Sequence, residues 1–100
     1  MRKKSQIIHL QKEIKFYKDS LKFLKKEKWK IQAVIKMCNA ILKAAQSEID
    51  NEKVLEYSKL VEQRIKEGEN MLISIEQGIL EANYNLELFS AYLSIEKSFK

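Results

Sequence analysis

From residue 7 the apolar side chains recur at alternating steps of three and four: Ile7, Leu10, Ile14, Tyr17, Leu21, Leu24, then Ile31, Ile35, Cys38, Leu42 and Ala45, with Lys28 the one break. A second run keeps the same spacing through Val54, Ser58, Val61, Ile65, Gly68, Leu72, Ile75, Ile79, Ala82, Leu86, Phe89 and Leu93. Each run puts its residues on one stripe of an α-helix and predicts a coiled-coil-like helix. Between them Gln46–Asn51 loses the pattern and carries Ser47 and Asp50, either of which is suited to cap the second helix by accepting a backbone N–H bond. The expected fold is all-α: a long antiparallel helical hairpin in one domain over residues 1–100, with helix 1 at about 5–46, a turn at about 47–51 and helix 2 at about 52–97.

Folding the chain back near residue 48 sets Leu42 opposite Val54, Ile35 opposite Val61, Cys38 opposite Ser58, Leu21 opposite Ile75 and Ile7 opposite Phe89. It also sets Lys28 opposite Gly68, where the missing side chain leaves room for the lysine stem to reach water. Glycine often follows a helix C-terminus. The apolar phase nevertheless crosses Gly68 unbroken, so the second helix is expected to be continuous. The competing arrangement bends at Gly68 and Gly78 and closes a three- or four-helix fold within the chain.

A single pair of helices buries little of its own surface, so the apolar residues outside the stripes matter. With the stripe positions called a and d, helix 1 carries Phe16, Phe23 and Met37 at c and Val34 and Ile41 at g. Helix 2 carries Tyr57, Met71 and Tyr92 at g and Leu60, Leu88 and Ile95 at c. In an antiparallel pair both g flanks lie on the same side, so these residues share one face. That face is expected to pair with a second copy, as a homodimeric four-helix bundle, or with a helix of another protein. Phe16, Phe23, Met37, Tyr57, Met71, Leu88 and Tyr92 are its expected contact residues. On the opposite flank Lys18 and Lys25 are expected to approach Glu76 and Glu69, with Glu62 continuing the acidic row.

Composition narrows the function classes. The chain has 100 residues, of which 45% are hydrophobic and 33% charged, with no proline and two glycines, which suits one domain. Two glycines supply neither the turns of a β sandwich nor a phosphate-cradling loop. The net charge of +5 is uneven: residues 1–46 hold 13 Lys/Arg against 3 Asp/Glu, and residues 47–100 hold 6 against 11. Opposite charge on the two helices favours pairing them with each other over pairing two copies of helix 1. Lys15, Lys22, Lys36 and Lys43 occupy position b, with Trp29 in the middle of their row. This stripe, about 40 Å long at the helical rise, suits an acidic partner surface or the phosphates of a nucleic acid.

Candidate chemistry changes the picture little. Cys38 has no second cysteine to pair with, and His9 has no Cys/His set around it, so no metal or other cofactor is expected. Glu62, Glu69 and Glu76 are spaced by sevens, about 10 Å apart along a helix, too far to act as an acid/base pair. No Ser/His/Asp or dinucleotide motif is present, and an enzyme is not expected. Lys12, Glu13, Lys15 and Lys18 interrupt any signal-peptide core after Arg2, Lys3 and Lys4. No apolar stretch approaches the length of a membrane span. A cytoplasmic protein is expected, or one exported without a cleaved signal.

The stretch Tyr92-Leu93-Ser94-Ile95-Glu96 is similar to the Y-x-x-x-D/E secretion signal of the WXG100-type proteins of type VII secretion, which the chain also resembles in length and hairpin design. The turn carries no W-x-G, and the tryptophan lies mid-helix at position 29. That resemblance implies a helical secretion partner. Small regulators and host-takeover proteins of mobile elements are similar in size and composition. The residues themselves point to a non-enzymatic protein-binding module, an adapter, inhibitor or secretion-type chaperone, with a small nucleic-acid-binding regulator as the alternative.

Overall fold

The computed structural model describes residues 2–48 and 50–98, with only the backbone for Arg2 and Lys3. Ile49, inside the expected turn, lies outside the described residues. Two helices account for nearly all of the rest: α1 spans Arg2–Ala45 and α2 spans Glu52–Ser98, joined by a short 3₁₀ turn at Gln46–Glu48. The described residues contain no strand. The all-α helical hairpin expected from the apolar spacing is therefore observed.

Both glycines lie inside α2, and neither has a positive φ. The helix passes through them, as the unbroken phase of the apolar run requires. Their role is in packing, and it differs from the one expected of Gly68.

The connection shows which polar residues fix the turn. Ser47 donates its hydroxyl to the Ala44 carbonyl at 3.0 Å, satisfying one of the acceptors left open at the end of α1. Asn51, rather than Ser47 or Asp50, caps α2. Its side-chain oxygen accepts the Lys53 N–H at 3.0 Å, and its carbonyl accepts the first helical bond from the Leu55 N–H at 3.0 Å. A capping side chain acts from the residue whose own carbonyl opens the helix. Asp50 stands one residue too early for that, and Ser47 lies in the 3₁₀ turn, where it closes the end of α1. Glu52 in the first turn of α2 and Lys43 in the last turn of α1 carry the charges that suit those helix ends.

The chain divides into two compact units, the first made of Met1–Lys26 with Gln77–Lys100 and the second of Glu27–Glu76. Each contains one segment of α1 and one of α2.

In the second unit the side chains of Ile35 and Ile31 fill the notch at Gly68. A Cβ placed on that glycine would lie 3.0 Å from Ile35 Cγ1 and 3.6 Å from Ile31 Cγ2. Gly68, expected opposite Lys28, therefore has Ile35 and Ile31 as its nearest neighbours, and Ile35, expected opposite Val61, reaches Gly68. One cause is geometric. Side chains lean toward the N-terminus of their own helix, so in an antiparallel pair those that meet belong to positions farther along than direct opposition suggests. The other is steric, since two branched side chains fit where a Cβ is missing. Lys28, displaced from the glycine, reaches Glu76 at 3.6 Å. Val61 and Cys38 are buried, and the Ser58 hydroxyl satisfies itself on the Val54 carbonyl at 2.8 Å.

In the first unit Leu10, Leu21 and Ala82 are buried. Gly78 provides a second, looser notch, with Leu24 Cδ1 3.3 Å from the Cβ position. Phe89 was expected opposite Ile7, but its ring stacks on Tyr17 with centroids 5.7 Å apart and planes 15° apart. The shift has the same sense as the one at Gly68.

Candidate functional site

All five buried residues of the described chain, Leu10, Leu21, Cys38, Val61 and Ala82, belong to the a and d stripes. The stripes therefore absorb the buried contacts. The other large apolar side chains are left facing outward, and their placement follows from the helical wheel.

In the first unit Phe16, Phe23, Tyr92 and Ile95 are exposed on the c and g flanks, Phe23 at 62%, while Leu88 is half-buried. The structure brings two of the expected contact residues into one cluster. The Phe16 ring lies 5.2 Å from Tyr17, Tyr17 stacks on Phe89, and Phe89 meets Tyr92 edge-on at 6.2 Å. Four rings drawn from both helices thus interlock, with Phe16 and Tyr92 at the outer ends. Offset and edge-to-face contacts of this kind hold rings in place beyond their area alone. Beside the cluster, Leu10, His9, Tyr92 and Ile95 line an open groove of about 360 Å³.

In the second unit Val34, Met37, Ile41, Tyr57, Leu60 and Met71 are exposed on the same flanks, Met37 at 66%. A groove of about 240 Å³ runs over the Gly68 notch, floored by Ile31, Val34, Ile35 and Met71 and rimmed by Lys30, Arg64 and Glu67. Lys30 pairs with Glu27 on this flank at 3.5 Å, an i,i+3 contact along one helix.

The opposite flanks differ from expectation. Glu76 pairs with Lys28 rather than Lys18, and the ion pairs among the described residues are Lys28–Glu76 and Lys30–Glu27. The Lys28 stem, starting from position a, passes over the edge of the stripe to reach the e-position carboxylate of Glu76. Lys15, Lys22, Lys36 and Lys43 are all exposed, and among the described residues Trp29 is the most exposed large apolar side chain at 70%.

Five exposed apolar residues were not anticipated: Ile8, Leu55, Ile73, Leu80 and Tyr84. They stand at b, e and f positions, off the c and g flanks. Ile73 and Leu80, seven apart, with Tyr84 four further on, formed a readable signal on the outside of α2.

Among the described residues no group of three or more His, Cys, Asp or Glu side chains is placed to hold a metal ion, and no helix is long and apolar enough to cross a membrane. Cys38 is free and buried. No protein-family model, curated protein or solved structure matches the chain.

Proposed function

We propose that this chain is a non-enzymatic protein-binding module that docks amphipathic helices on its c and g flanks. The observation that carries this is the exposure of Phe16, Phe23, Met37, Tyr57, Met71 and Tyr92 on the corresponding side of each unit. Rigid aromatic and thioether side chains on preformed helices are the anchors that helix-in-groove recognition uses. Seated on another hairpin, the flanks would complete a four-helix bundle. Seated on a client helix, they would act as those of an adapter, inhibitor or secretion-type chaperone, within the cytoplasm.

Phe23→Glu combined with Met71→Glu tests the reading, one substitution falling in each unit. The variant is expected to remain helical by circular dichroism, to sediment as a monomer and, against a wild type that is itself monomeric, to bind less of a dye specific for exposed apolar surface. Assembly and dye binding unchanged from the wild type would sink it.

A second reading rests on the exposed row of Lys15, Lys22, Lys36 and Lys43 with Trp29. Such a row suits a nucleic-acid backbone, the aromatic ring stacking on a base. It requires binding of DNA or RNA that weakens steeply with salt. Failure to bind either at low salt would remove it.

A further inference from the structure

Resting on the docking role just proposed, we infer that the occupant of the c and g flanks is a second copy of this chain, seated antiparallel, so that the first unit of each copy covers the second unit of the other.

Surface area argues for a partner of this size. The chain exposes 8340 Å². A folded monomer of 11.8 kDa exposes about 5,900 Å² by size scaling. The excess is about 2,400 Å², and a stable interface takes about 800 Å² or more from each partner.

Charge sets the orientation. From Gln6 onward, the c and g positions of the first unit carry Glu13 and Glu81 and no Lys or Arg. Those of the second unit carry Lys30, Lys53 and Arg64 against Glu27 and Glu67. Lys30 is already paired with Glu27, which leaves Lys53 and Arg64 in excess over Glu67. First unit on second unit therefore brings acid to base. First on first would set Glu13 and Glu81 against their own copies.

Side-chain chemistry points the same way. The first unit offers rings, the Phe16 to Tyr92 cluster and Phe23. The second offers Met37, Met71 and the groove over Gly68. Aromatic rings and thioethers attract one another, and an open apolar groove takes a protruding ring. Two-fold symmetry makes each of these contacts twice, since whatever one copy contacts on its partner the partner contacts on it.

The contact on the other flanks is less suited to a second copy. There the first unit carries Lys4, Lys15, Lys18, Lys22, Lys25 and Lys97 against Glu87, and the second unit carries Lys36, Lys43, Lys59 and Lys66 against Glu52, Glu62, Glu69 and Glu76, so a strongly basic face would meet one with no net charge.

Sedimentation equilibrium on the full chain at low and high salt decides the matter, with four proteins: wild type, Glu13→Lys/Glu81→Lys, Lys53→Glu/Arg64→Glu, and all four changes together. The wild type is expected to be a dimer. Each pair of reversals should weaken it about tenfold or more at low salt, because like charges now face each other, and the loss should fade at high salt. The fourfold variant, with both sides reversed, should regain the wild-type affinity. A dimer indifferent to both pairs overturns the antiparallel arrangement, because in parallel docking each reversal leaves like facing like. A monomer at every concentration, or an assembly larger than two, overturns the second copy as occupant.

The Phe23→Glu/Met71→Glu variant separates these failures from failure of the docking role. A monomeric wild type that binds the apolar-surface dye more strongly than this variant leaves that role standing. A dimer that this variant leaves intact overturns both. Circular dichroism confirms that each variant is helical, and the two charge pairs lie at different positions, so either one alone decides the orientation.

Discussion

Ile35 Cγ1 lies 3.0 Å from where a Cβ on Gly68 would stand, so the isoleucine occupies space that only glycine leaves open. At Gly78 the nearest side-chain atom, Leu24 Cδ1, is 3.3 Å away and is the tip of a flexible chain. The two glycines therefore respond differently to alanine. An added methyl in a helix interior contributes about 1 kcal/mol through helix propensity. Gly78→Ala should realise most of that gain, with Leu24 giving way slightly. Gly68→Ala should lose it to crowding, which costs about 1–3 kcal/mol in a packed seam. Thermal unfolding at fixed protein concentration should therefore rank Gly78→Ala above wild type and Gly68→Ala at or below it. Ile35→Val, which removes the methyl 3.1 Å from the notch, should recover part of the loss. A Gly68→Ala protein more stable than Gly78→Ala would show that the notch is not filled.

Asn51 carries the start of α2 by its bond to the Lys53 N–H. Asn51→Ala should cost about 1 kcal/mol, the usual worth of an N-cap. Asp50→Ala, one residue earlier and exposed, should change stability by less than about 0.5 kcal/mol. Chemical denaturation of the two variants checks the assignment, and equal effects would contradict it.

Lys28 stands in the apolar stripe and spends its charge on Glu76, with the two side chains 34% and 54% exposed. A pair so open to water contributes little, and Glu76→Gln should cost less than about 0.5 kcal/mol. Lys28→Leu should stabilise the hairpin by about 1 kcal/mol, since an apolar residue there completes the stripe. The same substitution removes the one polar mark on the α1 stripe, and polar residues at such positions specify alignment at a cost in stability. Denaturation of both variants, with hydrogen exchange across the seam, would show the gain and any slip. A loss of stability in Lys28→Leu would mean that the ion pair outweighs burial.

Tyr17 and Phe89 are the stacked centre of the ring cluster. A double-mutant cycle with Tyr17→Leu and Phe89→Leu should give a coupling of about 0.5–1.5 kcal/mol beyond the sum of the single changes. Absence of coupling would place the two rings apart.

The periodic part of this fold was legible in the sequence, and the part that depends on matching one helix to the other was not. Steps of three and four located both helices, the turn and the burial of Leu10, Leu21, Cys38, Val61 and Ala82. Continuity through Gly68 and Gly78 followed from the same phase. Register did not follow, because a seven-residue repeat can slide by one repeat and remain apolar against apolar. The fit of Ile31 and Ile35 into the Gly68 notch, which chooses among those alignments, is a property of shape. Asn51 went unrecognised as the cap because several polar residues crowd the turn and only the position of the first helical bond selects one of them. Of the residues expected on the c and g flanks, Phe16, Phe23, Met37, Tyr57, Met71 and Tyr92 are exposed and Leu88 is half-buried, while Ile8, Leu55, Ile73, Leu80 and Tyr84 are exposed at b, e and f positions, about which the a and d spacing carries no information.

The exposure of Trp29 makes the chain its own optical probe. Its indole is the one tryptophan in the sequence and stands at position b, off the c and g flanks, with 70% of its surface in water. Its fluorescence should be that of a hydrated indole, open to a soluble quencher. Events on the c and g flanks would leave that emission unchanged, whereas a ligand settling along the lysine row would shift it to the blue and shield it. One unlabelled spectrum thus reports which side of the molecule has been covered.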